Sequence, residues 1–215
     1  MALIDRRLFV GGIGSAAALA ASRCWAEALT LTPDQTEGPF YPDHLPLDTD
    51  NDLLLINEGK TLAVGEVTHL TGRVLDASGA PLIGAVVEIW QVDGNGVYLH
   101  SQSAGERRDA NFQGYGRFRT GPTGEYYFRT VKPVPYPGRT PHIHFAINQD
   151  NKRVLTTQMY VAGHEGNERD GQYRAIRDPA QRKSVTIPFE SLAKARSPEL
   201  QAKFDIVLGL TPAEG

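Results

Sequence analysis

Short runs of alternating apolar and polar residues recur along the chain from about residue 69 onward. They are rich in β-branched and aromatic side chains, and turn sequences such as Ser78-Gly79-Ala80-Pro81 and Asp93-Gly94-Asn95-Gly96 separate them. A period of two indicates half-buried strands, and regularly spaced turns are typical of an all-β protein built as an antiparallel β-sandwich. We predict strands at 70–76, 83–92, 116–120, 125–131, 142–148, 153–161, 184–189 and 203–210.

The rest of the chain has weaker patterns. Residues 29–65 are turn-rich and have no sustained period, so we expect a short N-terminal arm ahead of a sandwich domain at 66–215. Residues 164–183 are polar and loop-like, and 190–203 predicts one short helix interrupted near Pro198. No segment indicates a large helical domain.

The first 28 residues have the pattern of an export signal. Arg6 and Arg7 precede an uncharged stretch, 8–22, that is too short to span a bilayer as a mature helix. Ala26-Glu27-Ala28 then supplies small residues at the two positions that a signal peptidase reads. A buried N-terminal helix is the alternative, although its glycines would weaken it. We therefore expect residues 1–28 to be a twin-arginine signal and the mature chain to be periplasmic or secreted, without membrane insertion.

Composition excludes several classes of protein. The 215 residues carry a net charge of −3, which offers no basic patch for nucleic acid. The single cysteine, Cys24, falls in the export segment, so neither a disulfide scaffold nor a cysteine-based zinc site is expected. Oxygen and nitrogen side chains remain as the strong metal ligands of the mature chain.

A His-x-His pair carries the strongest chemical signal. In a strand, His142 and His144 share one face, while Ile143 and Phe145 point to the other face and into a core. Two imidazoles on one face can bind one ion, but the pair by itself is a modest signal. Without other ligands, a polar strand face with two solvated histidines is the preferred interpretation. Tyr136, held between two prolines, and Tyr98, at the end of a strand, do not decide the matter by themselves.

Several motifs in one order resemble the intradiol ring-cleavage dioxygenases, the non-haem iron(III) family that includes protocatechuate 3,4-dioxygenase and catechol 1,2-dioxygenase. They cover nearly all of the mature chain. The matching segments are Thr36-Glu37-Gly38-Pro39-Phe40-Tyr41, Gly84-Ala85-Val86-Val87-Glu88-Ile89-Trp90-Gln91, Gly96-Val97-Tyr98, residues 109–117 (DANFQGYGR), Pro135-Tyr136-Pro137, residues 139–145 (RTPHIHF) and Leu155-Thr156-Thr157-Gln158.

The resemblance implies one Fe(III) ion per chain, held by Tyr98, Tyr136, His142 and His144. Two phenolates and two neutral imidazoles form a hard, electron-rich set that suits the trivalent ion. In the family a catechol-type substrate displaces the ligand that matches Tyr136, and O₂ cleaves the ring between the two hydroxylated carbons to a cis,cis-muconate-type diacid.

Two further residues have implied roles at the ring. Arg139 matches an arginine that stabilises charge developing on the substrate. Gln158 matches a pocket glutamine, and pairing across the 149–152 turn would bring it level with His142 and His144. We interpret the remaining histidines, His44, His69, His100 and His164, as loop or surface residues.

The short arm indicates the protocatechuate branch, in which a homo-oligomer or a related second subunit is common. Two alternatives remain open. Residues 72–92 also resemble transthyretin-like and carboxypeptidase-regulatory sandwiches, which are non-catalytic binding modules. The His142 and His144 pair could instead hold zinc or copper without either tyrosine.

Overall fold

The computed structural model describes residues 29–56, 61–103, 108–193 and 197–209. The predicted export signal at 1–28 lies outside the described residues. Within them no helix is long and apolar enough to cross a membrane. In chain order the described elements are β1 Val67–Leu75, β2 Val86–Trp90, β3 Tyr115–Arg119, β4 Glu125–Val131, β5 His142–Gln149, β6 Lys152–Val161, a 3-10 turn Asn167–Arg169, α1 Gly171–Ala175, α2 Pro179–Ser184, β7 Thr186–Ile187, β8 Glu190–Ser191, β9 Leu200–Lys203 and β10 Ile206–Val207.

Two five-stranded sheets confirm the predicted β-sandwich. In the first, β1 pairs with β4 in the antiparallel sense and with β9 and β10 in the parallel sense, and β8 pairs with β9. In the second, the strand order is β3-β2-β5-β6-β7, and each pair is antiparallel except β6 with β7. The short C-terminal strands therefore make both sheets mixed.

The pleat of β5 gives the second sheet two different faces. Ile143, Phe145 and Ile147 are fully buried in the main core between the sheets. His142 and His144 point to the opposite face, as the alternation predicted. That outer face carries a second, smaller apolar cluster of Trp90, Val92, Tyr98, Tyr115 and Ala146.

The N-terminal arm covers this outer face. Its backbone joins β6 where the amide of Gln35 donates to the carbonyl of Thr156 at 2.8 Å. Further along, Phe40 stacks on Tyr98 with ring centroids 5.1 Å apart, and Tyr41 meets Trp90 edge to face. The smaller cluster is therefore buried by a segment that belongs to neither sheet.

Two predictions for the C-terminal part were wrong. Residues 190–203 form no helix in their described part; β8 and β9 occupy its two ends, because Ala202 enters the core when β9 pairs with β1. The segment 164–183 is not simply a loop. Asp170 and Asp178 accept backbone N–H bonds at the N-termini of α1 and α2, respectively, which gives two short helices their starts.

Candidate metal centre

Three polar side-chain atoms converge on the outer face of the second sheet. The Tyr98 hydroxyl lies 3.2 Å from Nε2 of His142 and 3.1 Å from Nε2 of His144, and the two nitrogens are 3.1 Å apart. All three residues are at most 2% exposed. Three groups that each have an unshared electron pair thus surround one point away from water.

Strand pairing fixes the two histidines. His144 lies between Trp90 of β2 and Gln158 of β6, and His142 lies opposite Tyr160 of β6. The indole of Trp90 stacks on the His144 ring, with centroids 4.8 Å apart and planes 10° from parallel. Nδ1 of His142 donates to the Thr140 carbonyl at 2.6 Å, so Nε2 is left as the electron-pair donor.

Tyr98 reaches the histidines from the turn after β2. Both the amide of Asn95 and the amide of Val97 donate to Oδ1 of Asp93, which closes that turn. The Tyr98 amide donates to the Ser103 hydroxyl at 3.0 Å. Phe40 also stacks on the Tyr98 ring. The backbone hydrogen bond and the ring contact together fix the position of the phenol.

Tyr136 stands at the edge of this group and is partly exposed. Its ring centroid is 5.4 Å from that of Tyr98 and 5.6 Å from that of His142. It starts a tight turn in which Pro137 is followed by Gly138 at φ +81°, and the Arg139 amide donates to the Tyr136 carbonyl at 2.9 Å. The structure therefore brings all four predicted ligands together, with Tyr136 outermost.

Arg139 and Gln158 meet beside these four residues. Nη2 of Arg139 donates to Oε1 of Gln158 at 2.5 Å, and Nη1 lies 3.4 Å from the Tyr136 hydroxyl. Gln158 of β6 lies directly opposite His144 of β5. The predicted hairpin placed Gln158 at this level of the sheet. Both residues that the sequence suggested for substrate contact thus adjoin the candidate ligands.

Sequence reasoning missed Asp170, whose carboxylate orients Arg139. Oδ2 accepts from Nε of Arg139 at 2.8 Å and from the Thr140 amide at 2.9 Å. Oδ1 accepts from the amides of Gln172 and Tyr173 at the start of α1. The side chain is fully buried. Burial, the largest influence, raises the pKa of Asp170, but the bonds from Thr140, Tyr173 and Arg139 together lower that pKa below its usual value. An aspartate before a short helix is a recognisable cap, but nothing in the sequence paired it with Arg139.

The arm also supplies residues that the sequence did not select. Gln35 accepts from the Tyr160 hydroxyl at 2.7 Å and donates to the Gln158 carbonyl at 3.0 Å. The side-chain amide nitrogen of Gln158, Nε2, in turn donates to the Thr36 carbonyl at 2.9 Å. His164, which we interpreted as a surface or loop residue, is half-buried, and its Nδ1 lies 3.1 Å from the Thr140 hydroxyl.

Burial dominates the electrostatics of the centre. It lowers the pKa of His142 to about 3, with the charge of Arg139 adding to the effect, and it lowers the pKa of His144 well below the usual range, with His142 as the second cause. Burial likewise raises the pKa of the Tyr98 phenol, and neighbouring Tyr136 adds to that. Without a cation, the site therefore favours two neutral imidazoles and a neutral phenol.

These donors suit a metal ion. Ligands about 2 Å from one ion and roughly at right angles to one another lie on the order of 3 Å apart, which is the spacing of the three converging atoms. Nδ1 of His144 has no protein hydrogen-bond partner, although it is buried. Among the described residues no group of three His, Cys, Asp or Glu side chains is placed to hold a metal. The Tyr98 hydroxyl lies within 3.2 Å of both imidazole nitrogens and is therefore the further donor that we consider.

Comparisons with known proteins identify the family of the chain. Residues 36–209 match the Dioxygenase family, Dioxygenase_C. The chain is 40% identical over 127 residues to the protocatechuate 3,4-dioxygenase beta chain of Burkholderia cepacia, which covers 55% of this chain and 53% of that protein. It is 33% identical over 150 residues to catechol 1,2-dioxygenase 1 of Acinetobacter lwoffii, covering 61% and 47%. The chain thus spans about half the length of these two curated relatives.

Solved structures support the same placement. The dioxygenase domain of a dioxygenase and carbohydrate-binding fusion from Streptomyces sp. SirexAA-E is 29% identical, with a TM-score of 0.64 over 85% of this chain and 100% of that one. An intradiol ring-cleavage dioxygenase from Tetranychus urticae shares the fold at 22% identity, with a TM-score of 0.65 over 84% of this chain and 95% of that one. The chain therefore belongs to the intradiol ring-cleaving dioxygenase family.

The depressed histidine pKa values predict a pH-dependent stability for the metal-free protein. The folded pKa of His142, about 3, lies below the unfolded value near 6.5, so the unfolded chain binds more protons as pH falls. The contribution is fully present above about pH 6.5 and is lost towards pH 3, by at most about 1.4 kcal/mol per pH unit for each such histidine. Urea unfolding between pH 6.5 and 5 should show this slope. The slope should become shallower in His142→Asn, where only His144 still contributes, and should persist in His44→Asn, where the histidine is exposed. Equal slopes in both variants would contradict the assignment.

Asp170→Asn should destabilise the fold more than Asp178→Asn does. Both aspartates cap short helices, and asparagine caps as well as aspartate, so capping cancels in the comparison. Asp170 alone also binds a largely buried guanidinium, and losing that charge should cost on the order of 2 kcal/mol. Thermal or urea unfolding measures the difference, and a matched loss in the two variants would show that the Arg139 contact contributes nothing.

Proposed function

We propose that this protein is an Fe(III)-dependent intradiol dioxygenase that opens a catechol-type ring with O₂ to a cis,cis-muconate-type dicarboxylate. The observation that carries the proposal is the convergence of Tyr98, His142 and His144 within 3.2 Å, with Tyr136 beside them. Family membership over residues 36–209 supports a ring-cleaving enzyme over a non-catalytic sandwich. Both atoms of O₂ enter the product, so the reaction needs no external reductant.

Tyr98, Tyr136, His142 and His144 would hold one Fe(III) ion per chain. Phenolate oxygens are hard donors that suit a trivalent ion, and imidazole nitrogens bind iron as well. When bound, Fe(III) supplies Lewis-acid activation and a template for the catechol oxygens. A nearby trivalent charge would also offset the burial that raises the pKa of Tyr98, so that the phenol can bind as phenolate.

The protein's own groups divide the remaining work. Tyr136 is partly exposed and sits on a turn at the edge of the cluster, so it is the ligand with room to give way to a substrate. Arg139 is held by Asp170 and Gln158 with its guanidinium beside Tyr136, where it can stabilise negative charge that develops on the ring. Phe40 and Trp90 exclude water from the other sides of Tyr98 and His144.

The substrate class rests on what the relatives have in common. Their names specify protocatechuate, catechol and hydroxyquinol dioxygenases, which share an ortho-dihydroxy ring. The 40% identity to a protocatechuate 3,4-dioxygenase beta chain supports our proposal that the protein belongs to that branch. We propose in addition that the protein assembles as a homo-oligomer or with a related second subunit.

Loss of a ligand should abolish ring cleavage. Tyr136→Phe and His144→Ala should each lower oxygen uptake with catechol by about 100-fold or more, because each removes a metal donor. His44→Ala, at an exposed position, should keep full activity. An oxygen electrode with ultraviolet detection of the muconate product measures all three. An unaffected Tyr136→Phe would refute the ligand set, and a colourless protein retaining stoichiometric zinc would favour the zinc alternative.

We also propose export through the twin-arginine route, on the pattern of Arg6-Arg7, the uncharged stretch after them and Ala26-Glu27-Ala28. Changing both arginines to lysine should keep the protein in the cytoplasm, because the arginine pair is what the pathway recognises. Cell fractionation and N-terminal sequencing of the exported form measure the outcome. Equal export of the lysine variant would refute this route.

A further inference from the structure

A pocket of about 390 Å³ opens beside Tyr136 and Arg139. Its far wall is formed by His164 to Gly166 and by Arg169 and Asp170 at the start of α1. Tyr136, on its near wall, contacts the rings of Tyr98 and His142. A ring bound at the candidate metal centre in place of the Tyr136 side chain would therefore project into this pocket.

A second cavity of about 490 Å³ adjoins the pocket. Pro135 and His164 line both cavities. The second cavity is mainly apolar, and we call it the proline groove. Its apolar lining includes Val64, Pro133, Val134, Pro135, Val161 and Ala162.

The charges along this path are already matched. Arg139 binds Asp170 at 2.8 Å, and Arg169 lies 3.3 Å from Glu165. In the proline groove Lys132 lies 3.4 Å from Glu66. A carboxylate on a substituent would find these three cations already paired with carboxylates. An uncharged substituent needs no such partner.

We propose that the substrate is a catechol with an uncharged, apolar substituent of about the size of an aromatic ring, which lies in the proline groove. The inference rests on the proposed function and narrows its substrate class away from carboxylated catechols. Each of the two adjoining cavities has a volume in the range of small-ligand sites. The prolines fix the backbone of the lining, so little ordering is needed on binding.

The test compares catechol, protocatechuate and 4-phenylcatechol on the iron-loaded protein. The KM for 4-phenylcatechol should be at least about tenfold lower than that for protocatechuate, because burying a phenyl ring gains more than this factor. Calorimetric titration of the iron-loaded protein without O₂ gives a second reading that does not depend on turnover, and 4-phenylcatechol should bind at least about tenfold more tightly than catechol.

Ala162→Phe fills the proline groove and should remove the advantage of 4-phenylcatechol in both measurements while leaving catechol cleavage unchanged. Ala180→Phe, the same change at an exposed position on α2, is the matched control and should alter neither. Should Ala162→Phe fold poorly, Val64→Asp places a charge at a 65% exposed position of the groove and should act in the same direction.

The outcomes separate the two proposals. If iron-loaded protein consumes none of the three catechols, the proposed function fails and this inference fails with it. If catechol is cleaved but 4-phenylcatechol is no better than protocatechuate, only the inference is overturned. The same holds if the groove variants leave 4-phenylcatechol binding unchanged.

Discussion

The twofold pleat of β5 is the constraint on which the rest of the structure depends. Successive side chains of a strand point to opposite faces. The register that buries Ile143 and Phe145 in the main core therefore also directs His142 and His144 to the outer face. A slip of one residue would exchange the two sets and lose core and centre together. The same strand register therefore specifies both the main core and the candidate metal centre.

An outer-face site needs a cover, and the fold supplies it from several loops and the arm. Phe40 covers Tyr98, and the 132–141 segment carries Tyr136 and Arg139 to the opposite side. Asp170 joins this cover to α1, since one carboxylate holds Arg139 and starts the helix. The arginine charge thus keeps a fixed position close to buried imidazoles, where a mobile cation would be less effective.

Sequence reasoning predicted what local periodicity encodes and missed what depends on contacts across the chain. The alternation around His142 predicted its face, and the hairpin turn predicted that Gln158 would lie level with His144. Asp170 was missed because its partner is 31 residues away and a helix cap alone explains its sequence context. The predicted helix at 190–203 failed because pairing of β9 with β1 outweighs local preference there.

The arm gives the protein an unusual order of assembly during synthesis. Gln35 leaves the ribosome early, yet its partners on β6 lie more than 120 residues later in the chain. Contacts of such long range form late, because the intervening loop must close first. Gln35 must therefore wait until β6 has been synthesised, and the centre acquires this part of its cover only then.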